Sequence, residues 1–421
     1  MKIRSMLWGA LLAQWPALAL AAPFTSGNLV VYRVGSGSVG LLSSATAVFL
    51  DEYSPAGLLV QSIPMPTSVV GDHRRLTASG TANTEGSLQR SADRRYLTLT
   101  GYDADVATAS VAGTVSAAVN RVLGLVDATG KVDTRTAVTA FSGQNIRSAV
   151  SDDGSGAWLC GSNSGVIYIP IGGTGPGTVV STTSANSRSL DIFGGQLYAS
   201  SSSGAFRFST VGTGLPKTAG QTMVQVSGGP ATSPYQFVGL DLDAGVPGID
   251  TLYVADDTAV TGGIQKFCLL SGTWAGMGNV PGTLELTSLR GLTGEVAGGS
   301  VKLYATNSIR LVSLTDPSGY NGTLSGTLTV VASAAPNTGF RGVDFAPVAS
   351  APAAPVLAVA KGVGGTVTVS WPSPSSGWTL QETSSLSGPW QISTGVVDDG
   401  QVKRLSVVNP AGRRFFRLVL P

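Results

Sequence analysis

Apolar and polar residues alternate in short runs along almost the whole chain. Asn28-Leu-Val-Val-Tyr-Arg33 and Tyr96-Leu-Thr-Leu-Thr100 are typical, and clusters of Gly, Asp, Asn and Ser separate such runs. A period of two over four to eight residues marks half-buried strands, and the intervening clusters mark turns. Helical periodicity is nearly absent, so the pattern predicts an all-β protein.

The strands repeat. Trp158-Leu-Cys-Gly-Ser-Asn-Ser-Gly-Val-Ile-Tyr-Ile169 aligns without gaps on Leu197-Tyr-Ala-Ser-Ser-Ser-Ser-Gly-Ala-Phe-Arg-Phe208, and its core returns at Leu252-Tyr253-Val254 and Leu303-Tyr304-Ala305. A shorter marker precedes each unit: Ile146-Arg-Ser-Ala-Val150, Ser187-Arg-Ser-Leu190, Phe237-Val-Gly-Leu240, Leu289-Arg-Gly-Leu292 and Phe340-Arg-Gly-Val343, with a weaker copy at Leu88-Gln-Arg-Ser91. The second positions of these markers (Gln89, Arg147, Arg188, Val238, Arg290, Arg341) are spaced by 41 to 58 residues. Strand-built repeats of about 40 to 50 residues are the signature of propeller blades, whereas solenoid repeats are much shorter.

The two chain ends complete the count. The last marker is a single strand, Phe340-Arg-Gly-Val-Asp-Phe345, while Leu29 to Arg33, Ala47 to Glu52 and Leu58 to Ile63 are strands with no marker before them. Joined, they make a further blade with its inner strand from the C-terminal side. The prediction is a β-propeller of about six blades over 22–347, closed by both ends of the chain. A stiff Pro/Ala linker follows at 348–355. Beyond it, Thr366-Val-Thr-Val-Ser-Trp371, Trp378-Thr-Leu-Gln-Glu382 and Arg414-Phe-Phe-Arg-Leu-Val419 read as strands of a small β-sandwich over 356–421. This segment resembles a fibronectin type III-like module, shorter than that family usually is. The whole chain resembles a group of secreted bacterial β-propeller proteins with this layout, a likeness carried by Asp250-Thr-Leu-Tyr-Val-Ala-Asp256 and Gly262-Gly-Ile-Gln-Lys266. The resemblance implies location and shape, and it brings no catalytic residues.

The first residues point to export. Lys2 and Arg4 precede an apolar stretch from Met6 to Leu20, and Ala19-Leu20-Ala21 offers the small-x-small pattern of a signal peptidase site. Cleavage after residue 21 is therefore expected, with the mature chain in the periplasm or outside the cell. The stretch is too short and too interrupted for a membrane span, and no later segment is apolar enough to be one. Without Lys2 and Arg4, the 26 basic residues fall to 24, equal to the 24 acidic ones. A neutral surface disfavours nucleic acid and anionic membranes as partners. Charged residues are only 12% of the chain while Gly numbers 56, so the surface hydrogen-bonds mainly through uncharged Ser and Thr. A monomer is expected.

The chemistry on offer is thin. His73 is the only histidine, which disfavours imidazole-based metal sites and a Ser-His-Asp triad. No nucleophile elbow or phosphate loop is present. Asp241-x-Asp243-x-Gly245 with Asp250 has the alternating oxygens of a calcium loop but lacks the terminal Glu; a blade hairpin is the plainer reading, and calcium is the only cofactor the pattern admits. Cys160 and Cys268 fall in blades separated by another, so two free thiols are expected.

The marker arginines stand out. Arg147, Arg188, Arg290 and Arg341 hold equivalent places at the starts of inner strands and should ring one mouth of the channel. Guanidinium grips carboxylate and phosphate; equally, each arginine could pair with a neighbouring Asp such as Asp191 or Asp344, or with carbonyls between blades. The leading expectation is a secreted, non-enzymatic protein that binds or scaffolds an extracellular glycan or protein through one propeller mouth. The alternative is a propeller hydrolase or lyase acting on acidic glycans, which would need a Glu, Asp or Tyr beside the arginines.

Overall fold

The structure, a computed structural model, describes residues 21–258, 262–349, 355–375, 378–408, 410 and 412–419. The expected export segment (1–21), save Ala21, and most of the linker (348–355) lie outside the described residues. The chain divides into two compact units, Met1–Ala349 and Ser350–Pro421.

The large unit is a six-bladed propeller. Blade 1 combines Gly339–Phe345 with Leu29–Val34, Ala45–Tyr53 and Leu59–Pro64. Blade 2 is Gln89–Arg90, Tyr96–Tyr102, Arg121–Asp127 and Val132–Val138; blade 3 is Ile146–Ser151, Gly156–Gly161, Val166–Pro170 and Thr178–Ser181. Blade 4 is Ser189–Phe193, Gln196–Ser200, Phe208–Val211 and Met223–Gln225. Blade 5 is Pro234–Leu240, Thr251–Asp256, Gly263–Leu270 and Thr273–Pro281, and blade 6 is Gly291–Ala297, Ser300–Thr306, Arg310–Asp316 and Thr329–Ser333. A short extra strand, Thr77–Ser79, bridges blades 1 and 2.

Blade 1 closes the ring with a strand from each end of the chain: Leu29 stands opposite Phe345 and Val34 opposite Gly339 in an antiparallel ladder. Each blade presents apolar faces to both neighbours, and six buried clusters fill the six junctions between blades. Val30, Leu50, Leu97 and Val122 join blades 1 and 2, and Tyr102, Leu123, Ala157 and Leu159 join blades 2 and 3. Trp158, Cys160, Leu190 and Leu197 join 3 and 4; Phe208, Phe237 and Val254 join 4 and 5. Tyr253, Ile264, Leu303 and Val312 join 5 and 6, while Tyr304 and Leu311 meet Tyr53, Phe340 and Phe345 to close 6 onto 1. An apolar face left without a neighbour would lose burial worth about 25 cal/mol per Å2, which is why the ring closes.

Two registers differ from the sequence reading. In blade 3 Ala149 pairs with Leu159, so Leu159, and not Cys160, takes the place of Ala199. Leu190 pairs with Ala199 and Leu292 with Ala305, and in blade 5 the matching pair is Phe237 with Val254. The register shifts between Pro234 and Phe237, so the position equivalent to Arg188 and Arg290 falls on the bulged residues Tyr235–Gln236 and not on Val238. A bulge adds one residue to a strand without any mark in the alternation.

In the small unit, Ala358–Lys361, Thr366–Pro372, Val402–Val408 and Val397–Asp398 form one sheet, and Gln391–Ile392, Thr379–Thr383 and Phe415–Val419 form another. Val369, Trp371 and Leu405 of the first sheet pack with Leu380 of the second in one core, which makes the unit a small β-sandwich. Among the described residues, no helix is long and apolar enough to cross a membrane.

Candidate functional site

The two mouths of the propeller are separated by a hydrogen-bonded plug. Gln89 Nε2 donates to Ser189 Oγ and to Leu190 O, both at 2.8 Å, reaching from blade 2 to blade 4. Gln236 Nε2 donates to Leu88 O at 2.7 Å, from blade 5 to blade 2. Both glutamines are buried. Buried amide donors must be paired to be tolerated, and here the pairing of the two Nε2 groups crosses the axis and closes the channel, while Gln236 Oε1 meets no donor among the described residues. Gln89 is the second position of the weaker blade marker in the sequence, and Gln236 has no such mark.

The marker arginines begin the inner strands on one side of this plug, but they are not equivalent. Arg147 is buried and donates from Nη1 to Asn186 Oδ1 and, at 3.1 Å, to Ser187 O. Burial first, and then the charge of Arg188, brings its guanidinium down to about 10. Arg341 is also buried and donates to Phe340 O and Gly80 O, each at 2.9 Å. Burial lowers its ionisation, opposed by the charges of Glu85 and Tyr32. These two tie loops and blades together. Arg290 is half-buried and grips Asp257 Oδ2 from Nε at 3.0 Å and from Nη2 at 2.8 Å. Arg188 is half-buried; its Nε donates to Ser202 Oγ at 2.7 Å, and it has no ion pair among the described residues.

Arg188, Arg290 and Arg341 line one pocket together with Tyr235 and Glu85, whereas Arg147 stands outside it. Tyr235 lies between the two half-buried arginines, with both guanidinium carbons 5.2 Å from its ring centroid. Burial raises its phenol ionisation, and the two guanidiniums oppose that shift. Glu85 Oε1 accepts from Tyr102 Oη and Asn145 Nδ2, and Oε2 accepts from Ser79 N at 3.4 Å. Burial raises its carboxyl above the ordinary range. The free space among these groups is about 20 Å3, room for one water-sized guest.

Asp191 and Asp344 do not meet the arginine ring. Each follows a marker arginine by three residues, and that rise along a strand is about 10 Å, which carries both to the opposite mouth. There they line a hollow of about 510 Å3 with Arg90, Arg94, Asp152, Phe193, Phe237 and Ile249. Asp344 is held in place: Oδ2 accepts from Arg90 N at 2.7 Å, and Oδ1 accepts from Thr293 Oγ1 at 2.8 Å and Phe345 N at 2.7 Å. Asp191 accepts from Ile192 N at 2.7 Å. Burial, and then the charge of Asp344, push its carboxyl well above the ordinary range. Arg94 is exposed on the turn between the first two strands of blade 2, with φ of 66°. The hollow thus combines an acid held above its ordinary range by burial, cationic side chains on one rim and the half-buried ring of Phe193. Asp191 and Asp344 are visible in the sequence as a repeated Arg-x-x-Asp; the hollow itself is not.

The acidic loop of blade 5 is a turn organised by its own amides. Asp250 is buried and accepts from Leu242 N at 3.1 Å, Asp243 N at 2.6 Å and Thr251 Oγ1 at 2.7 Å. Asp243 Oδ1 accepts from Gly245 N at 2.9 Å, and Asp241 is exposed. The Asp250 oxygens thus face the N–H and O–H donors of their own turn. Among the described residues, no group of three or more His, Cys, Asp or Glu is placed to hold a metal. Cys160 and Cys268 are both free and buried.

No family model matches this sequence, and no curated protein matches it. Among solved structures, similarity is found to a protein from Lactobacillus plantarum, at 9% identity over 94% of this chain and 100% of that one, with a TM-score of 0.41. The extracellular domain of a B. thetaiotaomicron protein matches at 10% identity over 93% of this chain and 55% of that one, with a TM-score of 0.37. The β-propeller domain of Myceliophteria thermophila Cps50 (Swd1) matches at 11% identity over 63% of this chain and 97% of that one, with a TM-score of 0.35.

Proposed function

We propose that this chain is an exported, non-enzymatic binding protein that takes a glycan of the extracellular space into the wide mouth of its propeller. The observation that carries the reading is the hollow of about 510 Å3, a size that suits ligand recognition. Its floor is the glutamine plug, so a ligand enters and leaves by the same side. Phe193, which is half-buried, offers apolar surface to a sugar ring. Burial raises the Asp191 carboxyl above its ordinary range, and Arg94 carries donors that its own fold leaves to solvent. Sugars are recognised by this combination of ring contact and fixed donors and acceptors.

The enzyme reading has one observation in its favour, the gathering of three arginines, Tyr235 and Glu85 around one pocket. Two features weigh against it. The space of about 20 Å3 is too small for a sugar ring, and both oxygens of Glu85 are already taken. A general acid must reach the atom it protonates.

A glycan-array screen of the whole protein, followed by turnover assays on its hits, tests the proposal. Hits that are bound but not cleaved, and that weaken on Arg94→Ala, are expected. Cleavage of any hit, or an array with no hits, overturns it.

A further inference from the structure

The arginine mouth carries positive charge that its own fold does not balance. Four guanidiniums begin the inner strands here, and two carboxyl groups oppose them. Asp257 is committed to Arg290. Glu85 is buried, and its oxygens accept from Tyr102, Asn145 and Ser79. Arg188 has one hydrogen bond and no carboxylate among the described residues. Arg341 is 5% exposed, and its Nε meets no acceptor. The guanidiniums also feel one another: Arg188 disfavours the charge on Arg147, and Arg290 disfavours that on Arg341, each in addition to burial. Clustered like charges at partly buried sites cost free energy unless a counter-charge sits among them.

The space these groups leave decides what that counter-charge is. It is about 20 Å3, bounded by Arg188, Arg290, Arg341, Tyr235 and Glu85. We propose that the arginine mouth is a binding site for a single small inorganic anion of halide size, held by Arg188, Arg290 and Arg341 as a structural counter-ion of the propeller. A planar guanidinium offers several donors in a fixed fork and is the side chain best suited to gather such an ion without losing its charge. Arg290 still has Nη1 to offer, since Asp257 takes only its Nε and Nη2. Both oxygens of Glu85 are already committed to Tyr102, Asn145 and Ser79. The site is independent of the wide mouth, because the Gln89 and Gln236 plug lies between them.

The test is thermal unfolding of the whole protein at constant ionic strength, with sodium gluconate replaced stepwise by sodium bromide. An ion that binds only the folded state raises the midpoint with its concentration. A bromide-dependent rise is expected in the native protein, with an apparent affinity about tenfold weaker in Arg188→Gln. Asp257→Asn, which releases Arg290, is expected to shift the response to lower bromide. Anomalous scattering from crystals grown in bromide is expected to place the ion between Arg188, Arg290 and Arg341, a readout that needs no variant to fold. A flat response in the native protein, a rise unchanged by Arg188→Gln, or bromide found only elsewhere overturns the proposal. So does stabilisation by sodium glucuronate without any by bromide, which would assign the arginines to the carboxylate of a larger ligand.

Discussion

Replacing Phe340 with Ala tests whether the ring is held shut where its two ends meet. Phe340 is 1% exposed and lies on the one strand that the C-terminal side of the propeller contributes to blade 1. Its ring meets Tyr53 edge-on, with centroids 6.1 Å apart and planes at 77°, and it shares a cluster with Leu29, Val31, Tyr304 and Leu311. Truncating a buried Phe to Ala costs about 3–5 kcal/mol, of which the aromatic pair supplies roughly 0.5–1.5 kcal/mol. For a unit of this size the thermal midpoint should fall by about 4–7 °C. Differential scanning calorimetry gives the shift, and hydrogen exchange gives its location. Exchange should quicken first at Leu29–Val34 and Gly339–Phe345, because each is the other's ladder partner. Leu284→Ala, at a site 94% exposed, is the control and should move stability by less than about 0.5 kcal/mol. A midpoint within about 2 °C of the native protein, or faster exchange confined to blades 3 and 4, would refute the closure.

Three further outcomes follow from particular groups. Cys160 and Cys268 should react with a thiol reagent only on unfolding, since both are buried and burial pushes the Cys160 thiol up to about 12; a disulfide between them by mass spectrometry would contradict the blade order. Chelator should leave the melting midpoint unchanged, whereas Asp250→Ala, which strips acceptors from Leu242 N, Asp243 N and Thr251 Oγ1, should cost about 1–3 kcal/mol; a chelator-induced fall would restore calcium to that loop. Asp191→Asn should stabilise the protein at neutral pH, with the gain vanishing at about pH 3. The folded carboxyl ionises above its ordinary range, so its contribution is complete below the unfolded value and drains away as pH rises through the folded one. Equal pH profiles for the two proteins would refute that.

The blades are legible in the sequence because each repeats the same problem: a strand that must bury both faces, then a polar turn. That requirement fixes Leu197, Leu252 and Leu303 at equivalent places, each facing the preceding blade, whereas Trp158 faces the following one. The shared closing blade is legible for the same reason, as unmarked strands at one end and a lone marker at the other. The bulge at Tyr235–Gln236 is not, since an extra residue leaves the alternation intact on either side. The arginine ring is legible as positions and illegible as contacts. Arg341 reaches Gly80, 261 residues away, and Gln236 reaches Leu88 from 148 residues away, and no local pattern encodes such meetings. Asp191 and Asp344 show the opposite failure. They are conspicuous and near the arginines in the chain, but the rise of an extended strand carries them to the other mouth.

The most direct test of the binding proposal is calorimetric titration of the strongest array glycan into three forms of the protein. Ile249→Trp places bulk in the wall of the wide hollow, while Arg188→Gln alters only the arginine mouth. Binding should weaken by tenfold or more, about 1.4 kcal/mol, in Ile249→Trp, and should stay within about twofold of native in Arg188→Gln. Full affinity in Ile249→Trp with loss in Arg188→Gln would place the ligand at the arginines and contradict the account.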